Sequence, residues 1–467
     1  MSNIRASGEV ATYLRLEAIE HLRRLLRLDT RTPPGNERIA ADYIASVLEA
    51  EGIPYEIVES APGRATIVGR LRAEDPSGRP VMMMGHTDVV TVEPEKWEHD
   101  PFLGDIIDGY VYGRGALDMK GQVAAQLAVF VALKRAGLQL TRDVIFCAFA
   151  DEEEGGVYGA EWVWNNRRDL IDAEFAINEG GGTPIDIGGS LFFPCQIAEK
   201  GSARLKLTAR GNPGHASVPL PDTAFRNLGI ALERLHAWEP PTVIVPAVRA
   251  MLEGIGEGLG GEASALVVEA LSSDPPSWEP ISRLPVSEEQ MLSFWAITRN
   301  TVAPTMIHGG SRINVIPSEL VVDIDGRTLP GEDPEAFRAA VQEAVGDAAT
   351  IDLVIPATGT SADPESPFFD AIARTMADIE PDEKVIPSIS SGGTDAPLIP
   401  GVKVYGFFPF PATERIALYE PLVHGHNERI HVDDLEYATI FIHDLIASFA
   451  TSWGAANRAG AAISAFR

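Results

Sequence analysis

The chain has 467 residues, enough for two or three domains, and its 45% apolar content is typical of a globular protein with a large core. Its 38 Lys and Arg residues against 67 Asp and Glu residues give a net charge of -29, which argues against nucleic acid or anionic lipid as a partner. Only two cysteines occur, so a disulfide framework does not stabilise this chain.

Up to about residue 200 the apolar periodicity alternates between helical and strand-like segments. An Asp108-Gly109 pair between two short strand-like runs predicts a hairpin turn. Helices are predicted over about 10–28, 37–50 and 119–136, and strands over about 54–58, 65–71, 81–88, 144–150 and 175–178. This order predicts an α/β fold, with a mixed, mainly parallel sheet that carries helices on both faces.

The character of the sequence then changes. A half-exposed strand is predicted over 203–210, a helix over 224–238, and strands over 312–316 and 320–325. We expect a smaller α+β domain over 203–331, inserted between the two parts of the first domain, 1–202 and 332–467. Strands over about 351–355 and 402–408 and a helix over 433–452 indicate that the α/β pattern resumes.

Imidazole and carboxylate side chains follow the predicted strands or lie in the adjoining loops: His86, Asp118, Glu152, Glu153, Glu179 and His424. The carboxyl ends of strands in such sheets face the ligand crevice, so these positions predict a site. Imidazole and carboxylate without thiolate suits zinc, cobalt or manganese, and this number of ligands suits two ions with a bridging carboxylate. Taken alone, His86 and Asp88 are as consistent with a buried structural pair, in which the Asp satisfies the His, as with site residues.

Eight short motifs occur in order along the chain: His86-Thr87-Asp88, Gly113-Arg114-Gly115-Ala116-Leu117-Asp118-Met119-Lys120-Gly121, Asp151-Glu152-Glu153, Asn178-Glu179-Gly180, Gly214-His215-Ala216-Ser217, Asn314-Val315-Ile316-Pro317, Ser391-Gly392-Gly393-Thr394-Asp395 and His424-Gly425-His426-Asn427-Glu428. As a set they resemble metallopeptidase family twenty. This family of dizinc hydrolases includes aminoacylase, acetylornithine deacetylase, succinyl-diaminopimelate desuccinylase and glutamate carboxypeptidase. The resemblance covers nearly the whole chain.

The resemblance implies a role for each position. The implied metal ligands are His86 and Glu179 for one ion, Glu153 and His424 for the other, and Asp118 as the bridge between them. Glu152 is then free to act as the general base, taking a proton from water and passing it to the leaving nitrogen.

Three alternatives stay open at these positions. Asp88 is expected to accept a hydrogen bond from the ring of His86, although it could instead ligate a metal itself. Glu154 stands where relatives commonly have an apolar residue, so which two of the three adjacent glutamates act is ambiguous; the first two directly follow Asp151 and are preferred. His426 lies two residues from His424 and is the alternative ligand.

The same resemblance implies substrate-binding residues. His215 is expected to reach across a dimer into the partner's site and stabilise the oxyanion, although a lone loop histidine is usually structural. Asn314 and Arg327 are expected to hold the substrate's carbonyl and carboxylate, unless Arg327 is only a surface residue at a strand end. Backbone N–H groups at Gly393 and Thr394 would complete the carboxylate cradle.

These expectations predict a metallopeptidase that cleaves an amide bond next to a free carboxylate of a small-molecule substrate. The inserted domain would close as a lid and form a homodimer. Carboxypeptidase or dipeptidase action is slightly preferred, because Tyr158 and residues 407–410 look more apolar than a pocket for a small charged acyl group, unless the aromatic run simply belongs to the core. The alternatives are N-acyl-amino-acid deacylation, an aminopeptidase activity, and a non-catalytic metal-binding scaffold.

A cytoplasmic location is expected from two features. No stretch reaches about 18 uninterrupted apolar residues, and no apolar segment follows Met1, so neither a membrane span nor a signal peptide is predicted. The low cysteine content, with only Cys147 and Cys195, is typical of a reducing compartment.

Overall fold

The computed structural model describes residues 8–451. It divides into two compact units. The first holds residues 8–197, 362–387 and 394–451; the second holds residues 198–361 and 388–393.

The α-helices of residues 8–451 are α1 Glu9–Leu26, α2 Arg38–Ala50, α3 Lys120–Ala136, α4 Ala160–Ile171, α5 Ala224–Ala237, α6 Pro246–Leu259, α7 Gly261–Ser272, α8 Trp278–Ile281, α9 Glu288–Ile297, α10 Pro334–Val345, α11 Pro367–Ile379 and α12 Val432–Phe449. Within this range, none of them combines the length and apolar composition that crossing a membrane requires. The end predicted for the last helix, Ser452, lies outside the described residues.

The strands of the same range are β1 Tyr55–Ala61, β2 Arg64–Leu71, β3 Val81–His86, β4 Ile106–Ile107, β5 Tyr110–Tyr112, β6 Val144–Phe149, β7 Phe175–Asn178, β8 Ile185–Ile187, β9 Ser190–Glu199, β10 Gly201–Arg210, β11 Gly214–His215, β12 Thr301–Gly309, β13 Val315–Ile316, β14 Glu319–Thr328, β15 Thr350–Pro356, β16 Thr360–Ser361, β17 Lys384–Ser390, β18 Lys403–Gly406 and β19 Arg429–His431. β4 and β5 pair across the predicted Asp108-Gly109 turn.

The sheet of the first unit has the strand order β1-β2-β6-β3-β7-β18-β9. Its centre, β6-β3-β7-β18, is parallel, whereas β1, β2 and β9 pair antiparallel with their neighbours. The predicted α/β class with a mixed sheet is therefore confirmed, and the parallel pairing is confined to the four central strands.

Successive side chains of a strand point to opposite sides of the sheet. Because the central strand β3 is buried along its whole length, helices cover both faces of the sheet. Met82 and Met84 pack in one cluster with Ala160 and Val163 of α4. Gly85 lies on the other face against α3, where a Cβ would come within 2.6 Å of Met119 and 3.0 Å of Val123. All side chains of β3 are buried, and each buried methionine contributes about 1.5–3 kcal/mol of hydrophobic stabilisation.

The second unit is built on an antiparallel sheet with the order β12-β14-β10-β15. Its core is formed by the inward side chains of β10 and β14 against α5 and α10, including Leu205, Leu207 and Val322. β15 corresponds to the strand predicted over 351–355, and it pairs with β10, so this sheet extends beyond residue 331. Of the strand predicted over 312–316, only Val315–Ile316 forms, pairing with β11.

Candidate metal centre

Three parallel strands of the first unit end at the same edge of the sheet. β3 ends at His86, β6 is followed by the turn that contains Glu152, and β7 is followed directly by Glu179. His86 pairs in register with Phe149, the last residue of β6. The carboxyl ends of parallel strands meet, so the sequence order alone brings these side chains together.

His86 faces three carboxylates. Its Nε2 lies 3.2 Å from Asp118 Oδ1 and 3.8 Å from both Glu152 Oε2 and Glu179 Oε1. Ligand atoms of His86, Glu152 and Glu179 lie within 4.8 Å of one another, as do those of His86, Asp118 and Glu153. The imidazole is therefore the common member of two groups with metal-ligand spacing.

His424 faces the other side of Asp118. Its Nε2 lies 3.0 Å from Asp118 Oδ2 and 3.2 Å from Glu153 Oε2. Asp118 thus presents one oxygen to each imidazole, which is the placement that a bridging carboxylate needs. His426 lies elsewhere, with its Nε2 3.8 Å from Glu93, and Glu154 is exposed.

The electrostatics of this cluster favour bound cations. Burial, together with neighbouring carboxylates, raises the pKa of Glu152 well above its usual range and that of Glu179 to about 7. Hydrogen bonds to Asp118 and Glu153 raise the pKa of His424 to about 10. Oε1 of Glu153 is buried with no hydrogen-bond partner among the described residues. A donor set of imidazole nitrogens and several carboxylate oxygens fits divalent ions.

Asp88 is fully buried behind this cluster. Its carboxylate accepts hydrogen bonds from the backbone N–H groups of Glu152 at 3.2 Å and Glu153 at 3.1 Å. The ring of His86 is held by the backbone oxygen of Asp88, 3.0 Å from Nδ1, whereas the nearer carboxylate oxygen is 3.5 Å away. A carbonyl oxygen only accepts, so Nδ1 carries a proton and Nε2 is the nitrogen that faces the cluster.

His215, Asn314 and Arg327 all belong to the second unit. His215 is exposed, with its Nδ1 2.7 Å from Ser217 Oγ. Asn314 is exposed, and its backbone oxygen accepts a hydrogen bond from Ala216 at 3.1 Å. Arg327 is half-buried and donates to Asp325 at 2.7 Å. The short β11–β13 pairing therefore brings the segments of His215 and Asn314 together.

Gly393 belongs to the second unit and Thr394 to the first. Gly393 is exposed, and a Cβ built there would meet no atom within 4 Å. Oγ1 of Thr394, in the first unit, accepts hydrogen bonds from the side chain of Asn178 at 3.2 Å and from the N–H of Ala396 at 3.1 Å. Thr394 is thus tied to the last residue of β7, directly before Glu179.

Two buried carboxylates near the cluster were missed by the sequence analysis. Asp395 is buried, Oδ1 has no hydrogen-bond partner within residues 8–451, and burial raises its pKa well above the usual range. Glu428 is fully buried and accepts a hydrogen bond from the N–H of Asp118 at 3.1 Å. Both residues lie in motifs of the sequence analysis: Asp395 directly follows Thr394, and Glu428 ends the motif that begins at His424. Membership of these motifs is the sequence feature that could have identified them.

A family model described as Peptidase family M20/M25/M40 matches residues 82–448. The chain belongs to this family. The resemblance to the metallopeptidases is thereby confirmed, and the protein is a hydrolase of the M20 family.

Known members of the M20 family resemble this chain over most of its length. Aminoacylase-1 of Sus scrofa is 29% identical over 419 residues, covering 88% of this chain and 89% of the relative. A probable carboxypeptidase S-like 2 of Dictyostelium discoideum is 29% identical over 404 residues, covering 82% and 74%. The crystal structure of an M20 family metallo-carboxypeptidase from Sulfolobus solfataricus shares the fold, with a TM-score of 0.68, 18% identity and coverage of 92% and 98%.

Proposed function

We propose that this hydrolase uses two divalent ions to cleave an amide bond next to a free carboxylate, as a carboxypeptidase or dipeptidase. Zinc is the expected metal, with cobalt or manganese as alternatives. The observation that carries the proposal is the cluster of two imidazoles and four carboxylates at the carboxyl edge of the parallel strands.

The proposed ligands divide around Asp118. One ion is held by His86 and Glu179, the other by Glu153 and His424, with Asp118 bridging. The contacts of Asp118 support this division, because each of its oxygens lies within 3.2 Å of a different imidazole.

Glu152 is the proposed general base. Divalent ions, when bound, polarise the amide carbonyl and lower the pKa of water. Glu152 then accepts the proton of the attacking water and delivers it to the leaving nitrogen. Its placement supports this role, because its carboxylate faces the cluster while the neighbouring Glu153 is the residue that contacts His424.

Asp88 is proposed to support catalysis by fixing the turn that carries both glutamates. Its Oδ1 accepts a hydrogen bond from the N–H of Glu152, and its Oδ2 accepts one from the N–H of Glu153. The base and a ligand therefore keep a constant spacing, and preorganisation of this kind lowers the reorganisation needed in the transition state.

The inserted domain is proposed as a lid that contributes His215, Asn314 and Arg327 to substrate binding, with Gly393 and Thr394 lining the cradle for the substrate's carboxylate. We also propose that this domain forms the homodimer. Support comes from β12, an edge strand on which Met306 is 54% and Ile307 61% exposed. An exposed apolar edge strand readily pairs with a strand of another chain.

Deacylation of N-acyl amino acids is the second candidate, and the similarity to aminoacylase-1 over 88% of the chain favours it. The aromatic residues of 407–410 no longer argue for a peptidase pocket. Phe408 and Phe410 are buried and pack together with ring centroids 5.5 Å apart, so they belong to the core. Of the residues on which the peptidase preference rested, Tyr158 is 48% exposed and is therefore still available to contact an apolar substrate group.

A substrate panel tests the proposal. Dipeptides, N-acyl amino acids and amino-acid amides would be assayed with zinc, cobalt and manganese. Cleavage that requires a free carboxylate supports the proposal. Preference for dipeptides would then indicate a peptidase, and preference for N-acyl amino acids a deacylase. A requirement for a free amine would indicate an aminopeptidase, and no cleavage of any substrate would favour the scaffold.

The cytoplasmic location stays a prediction. Cys147 and Cys195 are both free and buried, which is compatible with a reducing compartment.

A further inference from the structure

A buried ion pair joins the two loops that carry Asp118 and His424. Glu428 is 0% and Arg114 2% exposed, and Arg114 Nη1 lies 2.6 Å from Glu428 Oε2. The indole of Trp97 lies against the guanidinium, with the ring centroid 5.4 Å away. These two charges are excluded from water and must be satisfied by the protein itself.

Glu428 is satisfied by the loop before Asp118. Its Oε2 accepts the N–H of Gly115 at 2.9 Å, and its Oε1 accepts those of Leu117 at 2.7 Å and Asp118 at 3.1 Å. One carboxylate thus receives three backbone hydrogen bonds from four consecutive residues. Because the N–H of Asp118 itself is among them, the carboxylate fixes the backbone from which the proposed bridge projects.

Arg114 is hydrogen-bonded to the loop of His424 through Nη2, whereas its buried Nε has no hydrogen-bond partner within residues 8–451. Its Nη2 donates to the backbone oxygens of Gly425 at 2.8 Å and His424 at 3.2 Å. The backbone of His424 has a φ of 57°, in the left-handed region that side-chain-bearing residues rarely adopt. Two hydrogen bonds from a buried guanidinium hold this turn in that conformation.

We propose that Arg114 and Glu428 are positioning residues that set the spacing of Asp118 and His424 and, through it, the affinity and geometry of the ion between them. The inference rests on the proposed ligand set. The pair spans the two ligand loops, and the Asp118 Oδ2 to His424 Nε2 distance of 3.0 Å is the spacing that it maintains. Neither residue touches the substrate or the reacting atoms in this account.

Glu428→Gln is the main test, because it keeps the size of the side chain and replaces an accepting oxygen with an NH₂ group that cannot accept. Zinc affinity would be measured by competition with a chelator, and the visible spectrum of the cobalt-loaded protein would report ligand geometry. We expect zinc binding to weaken about 10- to 100-fold, as for other residues that orient metal ligands, and the cobalt bands to shift. Arg114→Gln should behave alike, and Arg114→Lys, which keeps the charge, should recover part of the affinity.

Asp143→Asn is the matched control. Asp143 also pairs with an arginine and a backbone N–H, accepting from Arg70 at 2.7 Å and Ala73 at 2.8 Å. It precedes β6, at the end of that strand opposite to Glu152. The control should lower the melting temperature and leave zinc affinity and the cobalt spectrum unchanged.

The inference is overturned if Glu428→Gln and Arg114→Gln lower the melting temperature as the control does but keep wild-type zinc affinity and cobalt bands. If Glu428→Gln does not fold, the two arginine variants decide by the same measurements. A wild-type protein that binds no divalent ion would overturn the proposed function, and the inference with it.

Discussion

Glu152 and Glu153 are neighbours in the chain but have different surroundings. Glu153 Oε2 lies 3.2 Å from His424, whereas Glu152 Oε2 lies 3.8 Å from His86. Asp88 holds the N–H of each, so the turn presents both side chains to the cluster at once. This geometry suits the proposed division of roles, in which Glu153 holds an ion and Glu152 transfers protons.

Glu152→Gln should therefore lose activity without losing metal. Removal of a general base lowers the rate by about 10²- to 10⁴-fold, and kcat/KM on the best substrate of the panel measures it. Metal content, measured by elemental analysis, should stay at the wild-type value. Glu154→Gln is the control, because Glu154 is exposed, and it should keep nearly full activity. A Glu152→Gln protein that keeps wild-type kcat/KM would contradict the assignment.

His424→Ala should release one of the two proposed ions, because it removes the imidazole ligand of that ion. The proposed ligands of the other ion, His86 and Glu179, stay intact. His426→Ala is the matched control, since its ring lies against Glu93 rather than in the cluster. Metal content after dialysis against a weak chelator separates the two variants. Loss of metal from His426→Ala instead would reverse the choice of ligand.

For individual residues, the sequence predicted which side chains of the cluster lie close together. It did not predict the buried residues that lie behind them. Ligand types and strand ends were sufficient to place His86 and Glu179 at one edge of the sheet. Asp395 is distinguished by its burial, and Glu428 by its burial and by hydrogen bonds from backbone N–H groups more than 300 residues earlier in the chain. Such contacts have no local signature in the sequence.

Elements of the first unit were predicted best where the apolar pattern is continuous. β3 and β6 are uninterrupted apolar runs, as expected for strands buried on both faces. Helices α6 to α9 were not predicted, because glycines at 254, 256, 258, 260 and 261 and prolines at 275, 276, 280 and 285 interrupt the helical period. β15 was predicted as a strand, but local sequence does not specify which sheet a strand joins.

His21 makes the packing of α1 against α2 sensitive to acid. It is 5% exposed, its Nδ1 lies 2.8 Å from the hydroxyl of Tyr43, and burial lowers its pKa to about 4. The unfolded chain takes up a proton near pH 6.5, but the folded protein does so only near pH 4. The free energy of unfolding should therefore fall as pH drops through this window, by up to about 3 kcal/mol from this group.

His21→Asn removes the titrating group and should flatten that dependence. Denaturant unfolding of the metal-free protein at several pH values between 7 and 4 would measure the difference between variant and wild type. The exposed His236, changed to Asn, is the control and should leave the curve parallel to that of the wild type. Equal slopes for His21→Asn and wild type would contradict the assignment.

The whole chain belongs to the M20 family and divides into two units. The proposed ligands and base all belong to the first unit. His215 belongs to the second, and its role is proposed to be exercised across a dimer.

Mixing two inactive chains tests this role. His215→Ala and Glu152→Ala would each be nearly inactive alone, but a heterodimer pairs one intact first unit with one intact His215. One of the two sites in such a heterodimer is intact, so we expect up to about half of the wild-type activity per dimer, measured on heterodimers purified with two different affinity tags. Verified heterodimers without recovered activity would show that His215 does not act across the interface.

Metal dependence decides whether this hydrolase works with two divalent ions. The purified protein should contain two divalent ions per chain, lose hydrolysis when a chelator removes them, and regain it when zinc, cobalt or manganese is added in that ratio. A metal-free preparation that hydrolyses the same substrate at the undiminished rate would contradict the account.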